Sequence, residues 1–264
     1  MRIKKYKIIN CYFVHQFSLQ YYIVFFILLF TLQFMLVQPV SGQAEDDPEV
    51  VKPKVDVTID GTAADDRIKG GAGDDKISGE EGYDILFGGS GDDKIVGGEG
   101  NDQLNGENGD DDLKGGEEDD KIYGERGNDK INGEEGNDIL RGGAGDDMIE
   151  GAEGNDTIFG GPGNNTLSGD AGDDILNDER GHSEIKGGKG NDKLYGGRGE
   201  DELEGGEGND ELDGGSDSDR LTGGSGGDVF KCDQLDEIVD FDPSEGDTKI
   251  GQCLVGDKLP PPLT

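Results

Sequence analysis

Tryptophan is absent from this chain, histidine occurs twice and cysteine three times. Only 30% of the 264 residues are hydrophobic, too few for the packed core of a conventional domain. His15 and His182 are the only imidazoles, so the His-Glu-x-x-His signature of a zinc protease is missing. Zinc is also excluded as a ligand of the central region, which offers His182 alone and no cysteine before Cys232. Positive charge is scarce as well. The 24 Lys and Arg stand against 61 Asp and Glu, a formal net charge of -37, and a surface so acidic repels phosphate backbones, which excludes nucleic acid as a partner. It favours cations. Acidic residues, in turn, are missing from residues 1–44.

Glycine is abundant, at 50 residues. High charge with low hydrophobicity would by composition alone read as disorder, but a period overturns that reading. From Gly61 to Lys231 the chain divides into nineteen consecutive nine-residue words with no insertion or deletion. A typical word is GGAGDDKIS, Gly70 to Ser78, with Gly at position 1, usually Gly at 4, Asp at 6 and an apolar residue at 8. Position 8 is apolar in every word, from Ile68 to Phe230, whereas positions 3, 7 and 9 vary freely. Drift after duplication would blur all positions alike, so the fixed ones have a physical role, and so short a period means a solenoid.

Outside the words the chain changes character. Residues 1–42 carry Arg2, Lys4, Lys5 and Lys7 ahead of an apolar run from Tyr21 to Val37. This reads as an export segment forming a hydrophobic helix, either a signal peptide cleaved after Gly42 or an uncleaved signal anchor. Everything beyond it is expected outside the cell, secreted or on the surface, and a membrane enters only through this segment if it is uncleaved. Residues 43–54, with Pro48 and Pro53, read as a linker. Val55, Val57 and Ile59 alternate with polar residues, as a strand capping the solenoid would. The solenoid therefore spans 55–231, and 232–264 forms a C-terminal cap with a Pro-rich tail. Cys232 and Cys253 both lie in that cap; in an exported protein they are expected to pair, the alternative being two free thiols.

In the word itself, glycines let the backbone turn tightly and expose carbonyl oxygens, and the Asp adds a carboxylate. Several oxygens at flexible spacing suit Ca²⁺ better than Mg²⁺, which retains its waters. The three residues after the Asp make a minimal strand with one inward side chain. The pattern G-G-x-G-x-D-x-U-x resembles the RTX, or hemolysin-type, calcium-binding repeat over residues 61–231. The resemblance implies an all-β fold, a right-handed parallel β-roll with two words per coil and strands alternating between two sheets. It also implies that each Ca²⁺ lies between the loops of words n and n+2, held by backbone carbonyls and by both position 6 aspartates. Those aspartates are Asp66, Asp75, Asp84, Asp93, Asp102, Asp111, Asp120, Asp129, Asp138, Asp147, Asp156, Asp174, Asp192, Asp201, Asp210, Asp219 and Asp228. Seventeen n/n+2 pairs exist and fourteen keep both carboxylates, so up to about 14 well-formed Ca²⁺ sites are expected.

Departures from the pattern become expectations. Asn165 and Ser183 replace the Asp in words 12 and 14, both in the even-numbered column. Word 14 also has Asp178 and Glu179 in place of its leading glycines. A bulge and a missing ion are expected there, with melting starting at that point. The segment Asp240 to Asp247 resembles what often follows RTX arrays and is a candidate for one further Ca²⁺ through Asp240, Asp242 or Asp247. At position 9 of the odd-numbered words Phe87, Tyr123, Phe159 and Tyr195 recur every 36 residues. They are read as a docking stripe for a glycan, a cell-envelope polymer or a second β-roll, or else as a relic of duplication. No room remains for a catalytic domain, so the chain reads as a non-enzyme. The expected role is an extracellular adhesion or scaffold module; the alternatives are a secreted calcium buffer and, more distantly, an accessory module of an RTX hydrolase.

One aliphatic side chain in nine residues cannot offset the backbone entropy of ordering the other eight, so metal binding has to supply the difference. Far-ultraviolet circular dichroism of the metal-free chain at neutral pH should be that of a coil, with β signal appearing cooperatively at millimolar Ca²⁺. A β spectrum in excess EDTA at that pH would refute the expectation.

Overall fold

The computed structural model describes residues 54–255. The export segment with its expected helix, the linker up to residue 53 and the tail from residue 256 lie outside the described residues. What is described is a parallel β-roll. Twenty-three strands run from β1, Thr58–Ala63, to β23, Leu254–Val255. Odd-numbered strands form a twelve-stranded sheet and even-numbered strands an eleven-stranded one, each strand pairing with the strand two places on. Two words thus make one coil, and paired residues are eighteen apart, as in Ile77 opposite Ile95 and Leu86 opposite Leu104. Twelve strands stacked at about 4.8 Å make a roll on the order of 50 Å long.

Alternation decides what is inside. Positions 6, 8 and 1 point inward, two residues apart, while 7 and 9 point out, as in β3, Lys76–Glu81, where Ile77 and Gly79 are buried. The apolar residues of position 8 form one continuous core from Ile77 to Phe230, each at most 3% exposed, with Ile68 partly buried beside it. Aspartate and glycine line the two edges where the chain passes from one sheet to the other.

Most strands have six residues rather than the expected three, because positions 1 to 3 of the next word stay in register with the neighbouring coil. The expectation of a three-residue strand considered one word at a time, and the extra pairing comes from the stack. Three-residue strands do occur at β12, Thr157–Phe159, β14, Ile175–Asn177, β16, Lys193–Tyr195, and β18, Glu211–Asp213. The shortening begins just before Pro162, which has no N–H for the ladder. Only isolated bridges, Pro162 to Arg180 and Arg198 to Ser216, remain beyond these strands. The coil nevertheless continues, so word 14 shortens a strand without interrupting the roll.

Both ends extend further than the nine-residue register. At the N-terminal end, the N–H of Val57 donates to Asp75 Oδ1 and that of Asp74 to Asp56 Oδ1, so residues 56 and 57 occupy positions 5 and 6 of an extra word. The capping strand itself begins at Thr58 rather than Val55. At the C-terminal end, Asp236 stands seventeen residues after Asp219 and Asp247 nineteen after Asp228, yet each accepts the backbone N–H expected of position 6. The first of these words is one residue short and the next two residues long, and the side chains still reach their slots. Ile238 is fully buried in line with Leu221, and Phe241 packs edge-on against Phe230 at 6.2 Å between ring centres. Cys232 and Cys253 form a disulfide across these last coils, with Cα atoms 5.4 Å apart; closing a loop of this size is worth about 3 kcal/mol in the chain-entropy model.

The core column yields a quantitative test. Leu140 is fully buried in the middle of the roll, so Leu140→Ala should lower stability by about 2–5 kcal/mol in denaturant titrations at saturating Ca²⁺. A loss under about 0.5 kcal/mol, the size of a surface substitution, would mean that the aliphatic column does not hold the coils together.

Candidate metal centre

Each corner of the roll brings Gly at position 1, the fourth residue of a six-residue strand, against Asp at position 6, which immediately precedes the next strand. The aspartates stack. One carboxylate oxygen of each accepts the backbone N–H of the aspartate one coil earlier: Asp84 N–H to Asp102 Oδ1 at 2.8 Å, Asp102 to Asp120 at 2.7 Å, Asp120 to Asp138 at 2.8 Å. This ladder runs along both edges, and its aspartates between Asp75 and Asp228 are at most 3% exposed.

The second oxygen is different. In fifteen aspartates, Asp75, Asp84, Asp93, Asp102, Asp111, Asp120, Asp129, Asp138, Asp147, Asp156, Asp174, Asp192, Asp201, Asp210 and Asp219, Oδ2 is buried without any hydrogen-bond partner. Such a group is costly to bury unless something positive reaches it. The position 1 glycine keeps that space open: a methyl on Gly124 would lie 2.3 Å from Asp129 Oδ2 and 2.6 Å from the carbonyl oxygen of Gly142. Carboxylate and carbonyl oxygens therefore converge on one cradle per word. Among the described residues no three Asp, Glu, His or Cys side chains form a metal-holding group. One carboxylate per word means that a cation must draw its remaining ligands from backbone carbonyls, which hard, flexible Ca²⁺ coordination accepts. The donor set fits Ca²⁺, and Ca²⁺ would supply the positive charge that the orphaned oxygens lack.

Electrostatics agrees. Loss of water pushes the Asp120 carboxyl up from an ordinary value of 3.8, the stacked N–H pulls it partly back, and neighbouring carboxylates push it up again. Asp120, in the middle of the stack, reaches about 8. Asp129, Asp138, Asp174, Asp210 and Asp219 reach about 7. Asp93, Asp102, Asp111, Asp147, Asp156, Asp192 and Asp201 reach about 6. Burial raises Asp84 and Asp228 in the same direction.

Family comparison gives the same answer. The model of the RTX calcium-binding nonapeptide repeat, built as four copies, matches in nine places that together run from residue 58 to residue 230. The chain belongs to the RTX calcium-binding nonapeptide repeat family. No curated protein matches it. A β-solenoid of this family is a structural calcium-binding module rather than a catalytic fold.

Two of the seventeen expected RTX aspartates lie outside the orphaned set. Asp66 is half-buried, and its Oδ2 accepts the N–H and hydroxyl of Thr62; Asp228 stacks normally, Asp210 N–H donating to its Oδ1. In the cap, Asp240 accepts the N–H groups of Gly223 and Gly224, and Asp247 those of Asp228 and Asp242. Both oxygens of each are thus engaged by backbone donors. A second ladder was not anticipated. At position 5, the side-chain oxygen accepts the N–H of position 5 one coil later, as from Asp92 to Asp74 at 2.8 Å and from Asn137 to Asp119 at 2.8 Å. It runs opposite to the position 6 ladder, on the outside of the same corners. Its signal was the frequency of Asp and Asn at position 5, which resembles ordinary turn preference. His182 stands in this ladder, with Nδ1 3.2 Å from the N–H nitrogen of Glu200.

Raised carboxyl pKa values set the sign of a pH effect in the absence of metal. Such groups bind protons more tightly in the folded chain, so their contribution favours folding fully below 3.8 and is lost as the pH rises through about 6 to about 8. Circular dichroism in EDTA should therefore show β structure growing as the pH is lowered from 8 towards 4. Loss of β signal on acidification would contradict the buried-carboxylate account.

Proposed function

We propose that this protein is an exported RTX β-roll that folds on binding multiple Ca²⁺ ions and then serves as a rigid extracellular adhesion or scaffold module. The observation that carries the reading is the two edge columns of buried carboxylates with an unpartnered oxygen: they make the folded state dependent on cations, and Ca²⁺ is abundant outside cells. The basic, then apolar, segment of residues 1–42 supports export. The continuous ladder at position 6 and the disulfide across the last coils support rigidity, which a scaffold needs and a buffer does not. A secreted calcium buffer is the second reading, favoured by the number of repeated sites.

The aromatic residues do fall on alternate strands of the eleven-stranded sheet, as the pairings of Phe87 with Asn105 and of Asn105 with Tyr123 show. All four rings are half-buried. Arg67 lies 4.8 Å over Phe87 and Arg141 4.5 Å over Phe159, so the chain's own cations already cover two of them. A glycan, an envelope polymer or a second roll is thus a weaker proposal for this face than for the protein as a whole.

Cell fractionation separates the two roles. A scaffold should stay with the cell envelope in Ca²⁺ and be released by EDTA, whereas free release into the medium at millimolar Ca²⁺ would favour the buffer.

A further inference from the structure

Three substitutions meet at one place on the edge formed by the even-numbered words. Asn165 and Ser183 stand where Asp is expected at position 6, and Asp178 stands where word 14 should begin with Gly. Asp178 is 2% exposed and sends its carboxylate into the corner. Its Oδ1 accepts the Asn165 side-chain amide at 2.7 Å, and its Oδ2 accepts the Ser183 hydroxyl at 3.0 Å. The same Asn165 amide donates to the carbonyl of Gly161 at 3.2 Å. Asn165 Oδ1 accepts the N–H of Asp147 at 2.9 Å and Ser183 Oγ that of Asn165 at 3.0 Å, so the stacking ladder passes through unbroken.

We propose that this trio is a metal-independent node that replaces Ca²⁺ with hydrogen-bond donors. The comparison with ordinary words is direct. A methyl on Gly142 would meet Asp147 Oδ2 at 2.2 Å; a methyl on Gly160 would meet Asp178 Oδ1 at 2.2 Å and Asn165 Nδ2 at 2.7 Å. A carboxylate oxygen thus occupies the same kind of cradle, but here an amide and a hydroxyl donate to that carboxylate. No side-chain atom of Asn165, Asp178 or Ser183 is among the buried orphans, whereas Asp147 above and Asp201 below each keep one. The residues present do not fit Ca²⁺ at words 12 and 14, since both position 6 side chains are neutral and the one carboxylate is satisfied from both sides.

The node reverses the expectation that melting begins at words 12 and 14. It divides the even-numbered edge into a cation-dependent run from Asp75 to Asp147 and another at Asp201 and Asp219. Between them one corner keeps its bonds when the cations leave. The other edge at the same height retains Asp156, Asp174 and Asp192, so the node holds one side of the roll and provides a template from which the neighbouring coils re-form.

This inference rests on the calcium reading above, and two measurements on the full chain test it. In amide hydrogen exchange at limiting Ca²⁺, the amides of Asp147 and Asn165, which donate to the side chains of Asn165 and Ser183, should stay protected where those of Asp93 and Asp111 on the same edge exchange. Loss of protection at 147 and 165 first, or together with the others, would overturn the node. The second measurement compares Ca²⁺ bound at saturation by the natural chain and by the triple variant Asn165→Asp, Asp178→Gly, Ser183→Asp, which restores regular words. The variant should bind two or three more ions, and an unchanged count would overturn the node. A natural chain that bound no Ca²⁺ would instead overturn the calcium reading itself.

Discussion

A carboxylate buried with one oxygen bonded and the other left without a partner is the constraint on which the rest of this roll depends. Stacking alone would tolerate many polar residues at the corner, because the bonded oxygen needs only to accept one N–H. The orphaned oxygen is what demands a cation, and repetition turns a local cost into a property of the whole molecule. Fifteen such oxygens lie along two edges, and each coil can close only if its neighbours are in place. Outside the corner held by Asn165, Asp178 and Ser183, folding, metal uptake and charge neutralisation are therefore a single event, with the aliphatic column supplying cohesion and the cation supplying permission.

Glycine has a second role in this arrangement. At position 1 it is retained for space, since any β-carbon would enter the cradle beside the Asp Oδ2. At position 4 both space and conformation require it: Gly127 has φ of 130° and a methyl there would lie 1.8 Å from the carbonyl oxygen of Gly109. Glu118 and Asp217 also have positive φ at this position, 73° and 89°, nearer the left-handed helical region than Gly127.

Much of the fold was legible because positions 1, 6 and 8 each report one physical demand: space, an inward carboxylate, and an apolar contact. The coil-to-coil interval of eighteen residues followed from the period and the family resemblance. Other features were hidden because they depend on neighbours rather than on the word. The second half of each six-residue strand begins with glycine, followed in most by a second glycine or a glutamate, which alone suggests a turn, and only pairing across coils makes it extended. Val57, Asp236 and Asp247 occupy position 6 slots without the repeat around them, two of them displaced by one residue. Asp178 shows the same limitation most clearly. Read by itself it is a lost glycine; beside Asn165 and Ser183 it is the acceptor that makes two lost aspartates tolerable.

The central claim is that the orphaned carboxylates are Ca²⁺ ligands whose occupation creates the fold. Counting the ions bound per chain while following compaction, in a single Ca²⁺ titration at neutral pH, tests it most directly. The account predicts about fourteen ions, one for each stacked pair that keeps both aspartates, taken up in the same transition that compacts the chain. Compaction complete with fewer than about ten ions, or uptake that proceeds without compaction, would contradict it.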